Sequence, residues 1–491
     1  MSYLDLSIRE IHQALLERKV TVLELTKEAI KRAKEDDNNA FENILEKEAI
    51  EKATKLNEDE VPTDNYFFGI PYVAKDNFST KDVESTGSSN ILNGYIPLFD
   101  ATVIKYLNDA NAILIAKATL DELAMGGTGT SGHKGVTYNP YDKSKTRMIG
   151  GSSCGSAVAV ANDIVPFSLG SDTGDSVRKP ASNGGLVGIK PTWGLISRFG
   201  LFPFAPSMDH VAYFTRNVED SALLLNLLSK HDENDATNSY VKRDDYYGEL
   251  KADVKGKKIA IVKEIRDSIQ DAEMNKKFDE SLEYLKKQGA IIEEVSIDKR
   301  LLASIYPVYF IISCAEATSN NANLDGIKFG PNYGGNTYQE VMYNARTKGF
   351  SPLIKRRFVI GSYSLMSENQ NELFVRAQKA RHLIVDAFNK VFESYDAIYL
   401  LAAPNIAPKI VGSSEKLSSN YLIADNYLAF ANFGGYPSIT IPLGFKENMP
   451  YGANITAKPF NEKSILNLAL NLENFTNLKD ISAPRHFKEV K

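Results

Sequence analysis

The sequence predicts an α/β fold, with one large sheet clothed in helices. Three observations predict it. Short continuous apolar runs recur along the chain, each bounded by polar or turn residues, as buried strands require. Longer stretches between them repeat their apolar residues at helical spacing. The two patterns alternate without internal repeat or low-complexity tract, which favours a single sheet over separate beads.

The elements follow in chain order. Ile8, Ile11, Leu15 and Leu16, then Val22, Leu23, Leu25 and Ile30, give an N-terminal helical layer over about residues 1–60 that packs on the core. The charged stretch KLNEDEVPTD closes it. The remainder, 61–491, reads as one large domain. FGIPYVA from Phe68 is a short buried strand, ATVIKYLNDAN from Ala101 a helix and AILIAKA from Ala112 a strand. SALLLNLLSK from Ser221 is a helix, followed by a polar insertion over about 230–256. KKIAIV, NKKFDESLEYLKKQ and AIIEEVSI then alternate strand, helix, strand. A long amphipathic helix starts at Phe374, and AIYLLAAP and PSITIPLGF are late strands.

Composition narrows the function. Of 491 residues, 57 are Lys or Arg and 62 Asp or Glu, a net charge of −5, so no overall basic field is available for nucleic acid. The two cysteines, Cys154 and Cys314, make no disulfide framework and point to a reducing compartment. MSYLDLSIREIHQ carries no apolar signal core, and runs such as AIYLLAAP are too short to span a bilayer. The expected location is cytoplasmic. No metal-ligand spacing is present among His12, His133, His210, His231, His382 and His486.

The richest stretch runs from Ile149 to Thr192 and holds two Gly/Ser clusters but no histidine. A phosphate cradle needs a G-x-x-x-x-G-K-[ST] or a strand-borne G-x-G-x-x-G, and neither occurs. Gly151-Ser152-Ser153-Cys154-Gly155 fits the G-x-S-x-G nucleophile turn, yet polar YNPYDKSKTRMIG precedes it where a buried strand is required. Glycines that merely allow tight packing would explain one cluster better than two. Without histidine, lysine can be the base if its pKa of about 10.4 falls by roughly three units, a cost near 4 kcal/mol that apolar burial can impose. Lys75, at the end of FGIPYVA, is placed for that.

GGSSCGSAVAVA followed by GSDTGDSVRKPASNGGLVGIKPT resembles the signature of the amidase signature family. The likeness extends from about Leu6 to about Thr476. VAKDNFSTKD, LDELAMGG, GLISRFGLFPFAPSMDHVAYFTRNVED, AEATSNNANLDGIKFG and IKRRFVIGSYSL are most similar to the glutamine-hydrolysing subunits of tRNA-dependent amidotransferases. The resemblance implies a large mixed, twisted sheet with helices on both faces. It implies a Ser–cis-Ser–Lys triad of Lys75, Ser152 and nucleophile Ser176, the serines 176 − 152 = 24 residues apart, with Ser153 a bystander. It implies an oxyanion hole from the N–H groups of Thr173, Gly174, Asp175 and Ser176, and glutamine contacts from Tyr309, Arg357 and Asp425.

The resemblance further implies a heterotrimer with partners known as the B and C subunits, mischarged tRNA held through the partner, and ATP and magnesium used there, with no cofactor on this chain. Glu-tRNA and Asp-tRNA acceptors stay open, as do a free-standing amidase and an inactive scaffold of the same fold. The chain departs from the family pattern at Cys154 and Asp175, where most members have glycine, and at Gly129, which replaces a glutamate. His210, inside a family motif, reads as structural.

Overall fold

The computed structural model describes residues 2–410 and 425–489. Positions 411–424, 490 and 491 of the expected 61–491 domain lie outside the described residues. Among the described residues, eleven strands form one mixed sheet: β1 Phe41–Ile44, β2 Pro71–Lys75, β3 Ile113–Ala118, β4 Phe167–Asp172, β5 Val187–Lys190, β6 His210–Thr215, β7 Lys258–Val262, β8 Ile291–Val295, β9 Ala397–Leu401, β10 Ser438–Lys446 and β11 Met449–Thr456. Their order is β1-β3-β2-β4-β6-β5-β10-β11-β9-β7-β8. β2 runs parallel to β3 and β4, and β7 runs parallel to β8 and β9. The other pairings are antiparallel.

Burial along the strands explains the helical cover. β2, β4, β5, β6, β9 and β11 bury every residue, which requires packing on both faces of the sheet. At one sheet edge β8 places Glu293 and Glu294 on an exposed strand, and such charges discourage pairing with another chain. At the other edge β1 brings the N-terminal segment into the sheet, so this layer is not purely helical. Its helices Ile8–Leu16 and Val22–Glu35 each begin with a capping box, Ser7 with Glu10 and Thr21 with Glu24. Residues 230–256 contain neither helix nor strand and connect helix Val218–Leu228 to β7.

Helix Lys299–Asn320 differs from the expectation that every apolar run is short. Its 22 residues are long and apolar enough to cross a membrane on composition alone. Here it packs against helices Pro352–Leu365 and Arg376–Phe392, with Leu302, Ile305, Val308 and Ile312 buried. Those contacts give it the role of a core helix. They also carry Tyr309 to the site described next.

Candidate active site

The centre of the sheet builds the site. β2 lies between β3 and β4, so its last residue, Lys75, ends in a region covered on both faces and has no exposed surface. The Lys75 amine donates to Ser152 Oγ at 2.7 Å and to Ser171 Oγ at 2.8 Å, with the Ser171 carbonyl at 3.4 Å. Asn77 donates to the same Ser171 hydroxyl at 3.0 Å. Burial lowers the Lys75 pKa to about 7, against the opposing influence of the Asp121, Asp172 and Asp209 carboxylates. A lysine with that pKa supplies a neutral amine near neutrality.

Ser152 follows a cis peptide from Gly151. Its carbonyl accepts from the Asp121 N–H at 3.1 Å. The Asp121 carboxylate in turn gathers the N–H groups of Thr128, Gly129, Thr130 and Ser131, at 2.9–3.1 Å, so a neighbouring loop is fixed to the same anchor. Ser153 makes no hydrogen bond with Lys75: its hydroxyl donates to the Ser171 carbonyl at 3.0 Å, and its N–H donates to the Ser176 carbonyl at 3.2 Å. It therefore stitches the two serine-bearing turns together.

Ser176 stands in a strand–turn–helix arrangement. β4 runs directly into its turn, and helix Arg178–Gly184 begins two residues later. The stretch 139–153 before Ser153 holds turns and isolated bridges but no strand, so the G-x-S-x-G match around Ser153 lacks its required context. Ser176 is buried, and its hydroxyl makes no hydrogen bond among the described residues. The structure thus joins Lys75 to Ser152 directly, and links Ser176 to that pair through the main chain of Ser153.

The turn ahead of Ser176 is held from behind. Arg178 pairs with Asp172 at 2.9 Å and donates to the Gly174 carbonyl at 2.7 Å and to Asn432 Oδ1 at 2.7 Å. Burial would raise the Asp172 pKa, but Arg178 and the Val177 N–H outweigh it and hold the carboxyl low. Asp172 also accepts from the Val177 N–H at 3.0 Å. With the Gly174 carbonyl drawn to Arg178, the N–H across that peptide points the opposite way. The N–H groups of Gly174, Asp175 and Ser176 donate to no acceptor among the described residues, as an oxyanion site requires. Thr173 is fixed by its hydroxyl, which donates to Asp209 at 2.7 Å.

The residues expected to read the substrate take three different positions. Tyr309 lies over the turn before Ser176: a Cβ on Gly174 would sit 2.9 Å from the tyrosine ring, so a side chain there would have to displace the ring. Arg357 packs over Phe310 and Phe204, its guanidinium carbon 5.1 and 5.9 Å from their ring centres. Its Nε and Nη1 are buried without an oxygen acceptor, and the Cys314 thiol lies beside the guanidinium. Asp425 is engaged by an internal cation, the Lys179 amine, at 3.1 Å. That lysine also pairs with Asp175 at 2.9 Å.

Sequence reasoning missed Ser171, Asn77, Asp121, Arg178 and Lys179. One signal was available: Asp175 and Lys179 stand at i and i+4, the spacing of a helical ion pair. His210 is buried in β6, bonded to the Met208 carbonyl at 2.7 Å and 3.2 Å from the Lys190 amine. Burial keeps its pKa well below the ordinary value, which suits a structural group. Cys154 and Cys314 are free and buried, and burial pushes the Cys154 thiol up to about 12, so it stays neutral beside Lys75. Among the described residues no group of His, Cys, Asp and Glu is arranged to hold a metal ion.

Known proteins share this architecture. The amidase family profile matches residues 24–466. The chain is 38% identical over 482 residues to the A subunit of glutamyl-tRNA(Gln) amidotransferase from Streptococcus mutans, covering 97% of each. It is also 38% identical over 470 residues to the protein of the same name from Pediococcus pentosaceus, covering 95% of each. Among solved structures, the A subunit of glutamyl-tRNA(Gln) amidotransferase from Thermotoga maritima superimposes with a TM-score of 0.79 at 34% identity, over 96% of this chain and 95% of that one. With a buried lysine on a serine hydroxyl, a second serine at a strand–turn–helix junction and this breadth of likeness, the chain belongs to the amidase family.

Proposed function

We propose that this chain is the glutaminase subunit of a tRNA-dependent amidotransferase, hydrolysing glutamine and supplying ammonia to a partner. The observation that carries the reading is the 2.7 Å contact between a fully buried Lys75 amine and the Ser152 hydroxyl. The near-full-length likeness to proteins named as the A subunit of glutamyl-tRNA(Gln) amidotransferase supports the choice of substrate.

The steps follow from the groups in place. Neutral Lys75 accepts the Ser152 proton as Ser152 accepts the Ser176 proton. Ser176 Oγ attacks the carboxamide carbon of glutamine, and the carbonyl oxygen gains the charge that the N–H groups of Thr173, Gly174, Asp175 and Ser176 receive. The proton returns through Ser152 to the departing nitrogen, ammonia leaves, and water resolves the acyl-serine by the same relay. The contact between the Ser152 and Ser176 hydroxyls closes when substrate is bound, since apo sites are commonly looser than reacting ones. Arg357 takes the α-carboxylate of glutamine with its Nε and Nη1 N–H groups, a charge-assisted pairing that its planar fork favours. Asp425 faces the α-ammonium, with Tyr309 forming the wall between.

The partners belong to the same proposal. The B and C subunits complete a heterotrimer, in which the partner holds the mischarged tRNA and uses ATP and magnesium to activate its glutamate or aspartate. The chain itself needs no cofactor for its half-reaction. The acidic net charge of −5 is in keeping with tRNA held by the partner.

Ser176→Ala tests the reading. Ammonia release from glutamine should fall to background while the thermal melt is retained, and a glutamine-like electrophile should add mass to wild-type Ser176 only. Persistent glutaminase activity in the variant would remove Ser176 from its role.

A further inference from the structure

The helix that follows the nucleophile carries a cation that none of these steps uses. Lys179 lies one turn beyond Asp175. Its amine is 2.9 Å from Asp175 Oδ2 and 3.1 Å from Asp425 Oδ1, and it donates to the Asp425 carbonyl at 2.6 Å. Three acceptors match the three protons of an ammonium group. One cation thereby ties the residue before the nucleophile to Asp425, which lies 246 positions beyond Lys179 itself.

A plain surface pair at i and i+4 would be worth little. Two features set this one apart. The Lys179 side chain is only 12% exposed, and the second carboxylate closes around it from a distant part of the chain. Burial alone would lower the lysine pKa, but Asp175 and Asp425 together outweigh it and hold it above the ordinary value. The amine is therefore charged at neutral pH.

The position of Asp175 explains what that charge is for. Its N–H belongs to the turn proposed to hold the oxyanion, and Asp175 is the residue directly before Ser176, its carboxylate turned to Lys179. A free carboxylate there would oppose the negative charge that develops on the substrate oxygen, in a region where such opposition is weakly screened. We propose that Lys179 is a positioning residue for amide hydrolysis: it holds the Asp175 carboxylate off the oxyanion turn, cancels its charge, and couples the turn to the substrate-facing Asp425. The proposal rests on the glutaminase reading above. It also accounts for an acidic residue at a position where most family members have glycine.

The test measures glutamine hydrolysis by the full chain, purified with whatever subunits accompany it, for wild type and three variants. Lys179→Met lowers kcat by about 10²-fold, the typical effect of disabling an oxyanion donor. KM for glutamine does not rise, because Asp425 is then free for the substrate ammonium. Adding Asp175→Asn to Lys179→Met recovers kcat by about tenfold or more, since the opposing charge is gone. Lys179→Arg, which keeps the charge, retains about a tenth of wild-type kcat or more. That third variant, and the double variant without either charge, keep the test open if Lys179→Met does not fold. A Lys179→Met kcat within about threefold of wild type overturns the proposal. So does a loss that Asp175→Asn fails to relieve in a folded protein, or a loss in Lys179→Arg as deep as in Lys179→Met. A wild-type protein inert toward glutamine overturns the glutaminase reading and the proposal together, whereas an active glutaminase indifferent to Lys179 overturns the proposal alone.

Discussion

The Lys75 amine stands 2.8 Å from the Ser171 hydroxyl, almost as close as it stands to Ser152. The buried amine is therefore held between two hydroxyls. Ser171 Oγ also accepts from Asn77, so it has a fixed orientation.

The first prediction concerns pH. Only neutral Lys75 can take a proton, and its pKa lies at about 7. Glutamine hydrolysis should rise with pH through about 7 and then level off. Stability follows the same group with a defined sign. The folded pKa is depressed, so the unfolded chain holds the extra proton between about 7 and 10.5, and stability rises with pH across that window. Below it the full penalty of a buried charge applies. Lys75→Met should abolish hydrolysis yet stabilise the protein at pH 7 by up to about 4 kcal/mol, less the lost hydrogen bonds. Denaturant titration and pH–rate profiles check both parts, and a rate flat between about pH 6 and 8 rules out Lys75 as the base.

Ser171→Ala gives the second prediction. The hydroxyl stabilises the charged form of Lys75, so its loss should move the pH–rate midpoint downward. It also leaves the Asn77 amide without its acceptor and loosens the lysine, which should lower kcat by about tenfold. A midpoint at the wild-type value in a variant with reduced kcat would leave Ser171 a packing role only.

How far the sequence discloses this arrangement depends on the residue. β2, β3, β7, β9 and β10 are legible because their apolar residues run together between polar borders, and β8 because it follows a helix in strand–helix–strand alternation. β4, FSLGSD, β5, VGIK, and β11, MPYGANIT, are not, because Gly, Ser and Asn interrupt the run even though every position is buried. β6, HVAYFT, has the residue types of a strand but sits inside a longer motif that masks it. Lys75 is legible from the apolar strand that precedes it. Ser171 is not, since a serine in a glycine-interrupted strand looks the same whether or not a lysine from another strand reaches it. Arg178 reads as a solvated cation until the fold closes Asp172, Gly174 and Asn432 around it.

Arg357 gives the third prediction. Its Nε and Nη1 are buried without an oxygen acceptor, which a protein tolerates where a ligand supplies one. Arg357→Ala should raise KM for glutamine by about 10²-fold, the worth of two charge-assisted hydrogen bonds, with a smaller effect on kcat. Arg357→Lys should recover little, because a single ammonium cannot present the same planar pair of donors. Steady-state kinetics with glutamine decide it, and an unchanged KM refutes the assignment.

The last prediction joins two departures from the family pattern that are distant in sequence. Gly129 and Cys154 are in contact: a Cβ on Gly129 would lie 2.8 Å from Cys154 Cβ and 3.0 Å from the Gly150 carbonyl. Gly129 also has φ +73°, a backbone region that costs other residues energy. A side chain at position 129 would therefore crowd the one at position 154. Gly129→Ala should destabilise the protein by about 1–3 kcal/mol, through overpacking and backbone strain together. Cys154→Gly in the same chain should relieve the closer contact and leave the Gly150 contact and the strain, so the double variant should be more stable than the sum of the single effects. Urea denaturation of the four proteins measures the coupling. Strict additivity would mean that the contact carries no energy.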